Sequence, residues 1–253
     1  MQDLSVTIFQ CELVWEDPAA NLSSFDKRLD QTTRPADLVV LPEMFTTGFT
    51  MNAPELAQSM GGTAVAWMRE ASARHKVDIT GSMIIRDGQH YYNRLIWSKP
   101  DGELVTYDKK HLFRMSGEHE VYSAGDRTII VEIKGWKICP FICYDLRFPV
   151  WTRNIKMQYD LALFVANWPA PRSMHWETLL RARAIENQCY VVGVNRVGTD
   201  GNGLLYDGKS AVIDPTGKVL FQQKDTPVIH TETLSCDVLT TYRESFPAWM
   251  DAD

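Results

Sequence analysis

The sequence predicts an α/β layered domain whose sheets are partly antiparallel. Three observations carry this. Short apolar runs rich in Val, Ile and Leu recur along the chain, helical periods fall between some of them, and tight-turn signals fall between others. The candidate strands, in order, are "LSVTIF" (4–9), "DLVVL" (37–41), "VDITGSMII" (77–85), "YYNRLIWS" (91–98), "RTIIVEI" (127–133), "WKICPFI" (136–142), "DLALFVA" (160–166), "YVVGVNRV" (190–197), "SAVID" (210–214), "KVLFQ" (218–222) and "IHTETL" (229–234). Helical periods cover 19–32, 63–75, 148–157, 173–188 and 235–244. The clearest is 173–188, with Ser173 as its expected N-cap and Trp176, Leu179, Leu180 and Ala184 on one face. "IDPTGKV" reads as a hairpin turn. "DLVVLPEMF" and "DLALFVANW" echo each other, which suggests similar strand architecture without demonstrating a repeat.

Bulk properties narrow the function classes. The 253 residues carry no Pro/Gly/Ser linker, so the expectation is one domain over 1–253. The net charge is −6 with no block of like charges, against a nucleic-acid binder, which would show a basic stripe. No signal peptide or membrane span is read from the chain. Five irregularly spaced cysteines without a secretion signal point to reduced thiols in a cytoplasm.

Chemistry in α/β sheets gathers beyond the carboxyl ends of strands. Glu43 ends "DLVVLPEMF", Lys109 and Lys110 end "ELVTYDKKHLF", and Cys143 ends "WKICPFICYDLRFP". A thiol attacks only as thiolate and needs help at neutral pH. A nearby ammonium lowers its pKa and stabilises an oxyanion, and a shielded glutamate takes and returns the proton.

Taken together, "LPEMF", "YDKKHLF" and "ICYDLRFP", spaced 66 and 34 residues apart at Glu43, Lys109 and Cys143, resemble the nitrilase-like carbon–nitrogen hydrolases. "VANWPAPRSMHW" and "RAIENQCYVVGVNRVG" extend the likeness, and it is nearest to the bacterial omega-amidase branch. The resemblance implies a four-layer αββα sandwich with mixed sheets and a Glu-Lys-Cys triad. It implies no metal or organic cofactor, and a homodimer, since relatives are often dimers. Glu43 matches the general base, Lys109 the catalytic lysine and Cys143 the nucleophile. Glu118 matches the second glutamate better than Glu120. The Tyr144 backbone N–H would serve the oxyanion, while Arg147 and Trp168 match pocket positions. The substrate implied is a small dicarboxylic acid monoamide such as 2-oxoglutaramate or 2-oxosuccinamate, hydrolysed to acid and ammonia.

Each residue also has a blander reading. Cys143 alone could be core, Glu43 a loop acid, and Lys109 a solvated strand-end lysine. His111 reads as ordering the lysine loop, not as a Cys–His dyad. Arg147 could pair with Asp145, and Trp168 could only pack. Cys11, Cys139, Cys189 and Cys236 read as packing residues. "GTDGNG" (198–203) reads as a mobile loop or turn, not a dinucleotide motif. Three alternatives stay open: the same chemistry on N-carbamoyl compounds or nitriles, a redox thiol protein, and a non-catalytic binding protein.

Overall fold

The computed structural model describes residues 1–32 and 36–251. Among these, thirteen strands and six α-helices follow in the order β1 (Leu4–Gln10), α1 (Pro18–Asp30), β2 (Leu38–Val40), α2 (Ala53–Leu56), α3 (Thr63–His75), β3 (Asp78–Asp87), β4 (His90–Ser98), β5 (Leu104–Asp108), α4 (Glu118–Val121), β6 (Val131–Ile133), β7 (Trp136–Ile142), β8 (Leu161–Ala166), α5 (Ser173–Asn187), β9 (Tyr190–Asn195), β10 (Val197–Thr199), β11 (Leu205–Ile213), β12 (Val219–Lys224), β13 (Val228–Leu234) and α6 (Cys236–Ser245). No helix among the described residues is long and apolar enough to cross a membrane.

Two mixed sheets form an α/β sandwich. One has the order β13-β1-β2-β3-β4-β5, the other β10-β11-β9-β8-β7-β6, with β12 beside β11. Each is built on a parallel trio, β1-β2-β3 in the first and β7-β8-β9 in the second, extended by antiparallel strands. The echo between "DLVVLPEMF" and "DLALFVANW" has its counterpart here, since β2 and β8 are the middle strands of the two trios.

Burial explains the layering. Strand residues Val6, Ile8, Val40, Leu95 and Trp97 of one sheet share a core with Phe141, Phe164 and Val192 of the other. The opposite face of the first sheet packs under α1 and α3 through Phe9, Val39, Ile79, Phe25 and Met68. Asp17 caps α1 by accepting from Ala20 N–H at 2.9 Å, and Pro18 pre-sets the first turn. On the outer face of the second sheet α5 comes very close at Gly193. A Cβ there would lie 2.6 Å from Leu180 and 2.8 Å from Trp176, so only glycine lets helix and strand approach this far.

Several sequence expectations shift. The helix expected over 148–157 is turns plus a single 3₁₀ turn, Ile155–Met157. The Asn154 side chain bonds the backbone of Tyr159 in both directions, and Lys156 and Met157 take positive φ, so backbone groups are satisfied locally without a helix. Ser173 is not the cap of α5. Arg172 holds that position, and the Ser173 hydroxyl donates to Asp207 instead. The run 127–133 pairs only over Val131–Ile133, where the hairpin to β7 turns at Gly135. The run 190–197 breaks at Arg196 into β9 and β10, and β5 was not among the eleven runs. The "IDPTGKV" turn forms as expected, with Asp214 Oδ1 accepting from Thr216 and Lys218 N–H.

Gly125 fixes the end of β5. Its N–H donates to the Lys109 carbonyl at 2.9 Å, and a Cβ there would lie 2.2 Å from the Asp108 carbonyl oxygen. Gly125→Ala should therefore push β5 outward, at about 1–3 kcal/mol for overpacking. Differential scanning calorimetry should show Tm falling by roughly 2–10 °C, with turnover reduced because Lys109 moves with the strand. Gly61→Ala, whose added Cβ meets nothing nearer than 3.8 Å, should leave both unchanged.

Candidate active site

The loops beyond β2, β5, β7 and β8 converge on one cavity of about 520 Å³. Glu43, Lys109, Cys143, Tyr144, Arg147 and Trp168 all line it. Glu118, the remaining sequence candidate, is fully buried behind Lys109.

Lys109 follows β5 directly and is only 1% exposed. Its ammonium donates to Glu43 Oε1 at 2.9 Å and to both oxygens of Glu118 at 2.9 and 3.0 Å. Burial alone would push the Lys109 pKa down. The Glu118 and Glu43 carboxylates outweigh it, so the pKa rises and the ammonium stays charged. Glu118 opens α4 after Gly117, and its Oε2 accepts from Phe113 N–H at 2.5 Å. Burial raises the Glu118 pKa, opposed by Lys109 and reinforced by Glu43. Glu43 is itself fully buried. Oε1 also accepts from Asn93 Nδ2 at 2.7 Å, and Oε2 from Asn167 N–H at 2.8 Å.

Cys143 begins the 3₁₀ turn Cys143–Arg147 immediately after β7. Its φ is +44°, a left-handed conformation that costs energy for a residue with a Cβ. Asp145 holds that turn. Its Oδ2 accepts from Ile142 N–H at 3.1 Å and Tyr107 OH at 2.7 Å, while Oδ1 accepts from His111 N–H at 2.9 Å and Nδ1–H at 2.8 Å. His111 thereby ties the lysine loop to the cysteine turn, and its ring stacks on Phe148 at 3.7 Å. The alternative reading, in which Arg147 pairs with Asp145 or another acid, is not what the described residues show: Asp145 is engaged by these four donors and Arg147 makes no ion pair. Arg147 instead bonds His175 Nδ1 at 2.8 Å and lies 4.9 Å over the Trp168 ring.

The thiol departs from the simplest expectation. Lys109 does pull the Cys143 pKa down, but burial and the Glu43 charge push it up by more. The resting sulfur keeps its proton. That disfavours a redox sensor, which relies on an accessible low-pKa thiolate.

Sequence reasoning missed Asn93 and Asn167. Asn93 is a fully buried polar residue inside the apolar run "YYNRLIWS", which was a usable signal. Asn167 precedes Trp168 and gives Glu43 a second contact, Nδ2 to the Glu43 carbonyl at 2.5 Å. The "GTDGNG" segment contributes Asp200 and Asn202 to the cavity wall.

The family model for carbon-nitrogen hydrolases matches residues 5–243. The chain belongs to the carbon-nitrogen hydrolase family. Omega-amidase YafV of Escherichia coli (strain K12) is 50% identical to this hydrolase, covering 100% of this chain and 98% of the relative. The 2-oxoglutaramate amidase of Bacillus subtilis (strain 168) is 34% identical, covering 98% and 96%. Among solved structures, a CN-hydrolase superfamily protein from Xanthomonas campestris, with an arsenic adduct in its active site, superposes with a TM-score of 0.98 at 47% identity, covering 100% of this chain and 98% of that one. Saccharomyces cerevisiae Nit3, of branch 10 of the nitrilase superfamily, superposes at 0.88 with 26% identity, covering 97% and 95%. The nitrilase-like sandwich expected from the sequence is thus the observed fold.

The two adjacent lysines offer a test. Lys110 Nζ sits 5.3 Å over the Trp151 ring and does not line the cavity. Lys109→Ala should lower turnover by at least about 100- to 1,000-fold. It should also lower Tm, because Glu43 and Glu118 then face each other buried and unpaired. Lys110→Ala should stay within a small factor of wild type in an ammonia-release assay. The reverse ranking would assign the role to the wrong lysine.

Proposed function

We propose that this hydrolase is an omega-amidase, cleaving the terminal amide of small dicarboxylic acid monoamides such as 2-oxoglutaramate and 2-oxosuccinamate to acid and ammonia. One observation carries the reading. A single cavity collects a thiol, an ammonium clasped by carboxylates, and an arginine with unused donors. The omega-amidase and 2-oxoglutaramate amidase names of full-length relatives support the substrate class.

The reaction runs in two halves. Glu43 takes the thiol proton as Cys143 Sγ attacks the amide carbonyl, which suits a sulfur that rests protonated. The developing oxyanion is stabilised by the Lys109 ammonium and the Tyr144 backbone N–H. The C–N bond breaks as Glu43 returns the proton to the leaving ammonia, leaving a thioester on Cys143. Water, deprotonated by Glu43, attacks the thioester. The carboxylic acid leaves and the thiol is regenerated. Glu118 positions Lys109 from behind. Arg147 grips the distal carboxylate through parallel hydrogen bonds, and Trp168 forms the apolar wall that limits chain length. Free thiols at all five cysteines suit a reducing cytoplasm, and a homodimer is carried over from the family.

Cys143→Ala should abolish ammonia release while retaining a native Tm, because the thiol's role is chemical. Retention of even a tenth of wild-type turnover would rule out the covalent route. For Arg147→Ala, kcat/KM on 2-oxoglutaramate should fall about 10- to 100-fold, while a neutral amide of similar length loses much less. Arg147→Lys should recover only part, since an ammonium keeps charge without the two-pronged geometry. A panel of amides, N-carbamoyl compounds and nitriles should show fastest release from the carboxylate-bearing amides, slower release from neutral amides and none from the N-carbamoyl compounds or nitriles.

A further inference from the structure

The donors and acceptors around the cavity are unequally used. Its carboxylates are already served by the protein. Glu43 accepts from Lys109, Asn93 and Asn167. Glu16 accepts from Thr50 Oγ1 at 2.5 Å and Asn52 Nδ2 at 3.3 Å. Asp200 accepts from the N–H groups of Asn202 and Leu204 and from Tyr206 OH. The guanidiniums are the reverse. Each has five N–H donors. Among the described residues Arg147 gives one side-chain hydrogen bond, to His175. The Arg172 guanidinium also lines the cavity, and among the described residues its side chain makes no hydrogen bond or ion pair.

Arg172 is nevertheless held in place. It ends the short turn Ala170–Arg172, where Pro171 fixes the backbone. Its carbonyl accepts from Trp168 Nε1 at 2.8 Å, and its guanidinium lies 5.2 Å over the Phe113 ring. Both anchors belong to the site. The Trp168 indole carries Arg147 on its face, and the Phe113 N–H donates to Glu118. A rim arginine with a merely solvated role would not need an aromatic platform tied to the catalytic cluster.

Resting on the amidase reading, we propose that Arg172 is a second specificity-determining residue. With Arg147 it forms a seat of two guanidiniums for the anionic end of the substrate. Two planar forks, one over the Trp168 ring and one over the Phe113 ring of the same cavity, offer more donors than one carboxylate can use, so the seat favours a terminus rich in acceptor oxygens. The same seat receives the dicarboxylate product, which carries an anion of the same kind at that end.

The test uses two measurements. Steady-state kinetics of wild type, Arg172→Ala and Arg172→Lys compare 2-oxoglutaramate with a neutral amide of similar length. Calorimetric titration of glutarate into Cys143→Ala, with and without Arg172→Ala, measures anion binding where no chemistry occurs. The expected result is a fall in kcat/KM of about 10- to 100-fold on 2-oxoglutaramate, a loss of less than about threefold on the neutral amide, and glutarate binding weakened at least tenfold. Arg172→Lys should recover part of each, and it retains the stem should the alanine variant fold poorly. Equal losses on both amides, or glutarate binding indifferent to Arg172, would overturn the proposal and leave the amidase reading standing. If wild type released ammonia from neither amide, the amidase reading would fail, and the glutarate titration would still decide the anion seat.

Discussion

A single ammonium, shut away from water between two carboxylates, is the constraint on which this site depends. Lys109 alone would be intolerable where it stands, because moving an unpaired charge out of water costs several kcal/mol. Glu43 and Glu118 make it tolerable, and they are tolerable only with it. Further hydrogen bonds to the two carboxylates come from Asn93 Nδ2, Phe113 N–H and Asn167 N–H. Buried charges need such partners, because an unpaired one is costly at low dielectric. That requirement explains why strands β2, β4 and β5 and the start of α4 converge here.

The same network sets the state of the nucleophile. Lys109 favours the thiolate, but burial and the Glu43 charge outweigh it, and the thiol keeps its proton. In the proposed mechanism that proton travels with the chemistry: off the sulfur, onto the glutamate, and out with the leaving ammonia. The arrangement asks little of the cysteine except position, and position is what Asp145 supplies by gripping the turn from four donors.

The convergence of Glu43, Lys109 and Cys143 on one cavity was legible in the sequence because each follows an apolar strand and carries a recognisable local word. Its supporting residues were not. Asn93 lies 50 residues from Glu43 and Asn167 lies 124 away, so nothing local marks their partnership. Arg147 was legible as a pocket residue, yet the choice between Asp145 and the cavity depended on whether Asp145 was already saturated. Most strands were legible through apolar runs. The false helix over 148–157 had a suitable period, but Asn154 bonded the backbone in its place. Ser173 is a suitable cap residue drawn away by Asp207. At Ser173 a partner 34 residues away won the hydrogen bond, and at Asn154 one only five residues away did, in both cases against the local preference for a helix or its cap.

The two bonds from Asn167 to Glu43 join the end of β8 to the end of β2, and so join one sheet to the other. In the proposed mechanism the nucleophile Cys143 comes from the second sheet and its base Glu43 from the first. Neither half of the chain therefore holds a working set of groups. The first sheet, with its glutamates and lysine but without the cysteine, is inert by itself. Activity under the proposed mechanism requires the two sheets to be docked, so enzymatic activity reports that docking. A chain broken between the halves would be silent until its pieces found each other.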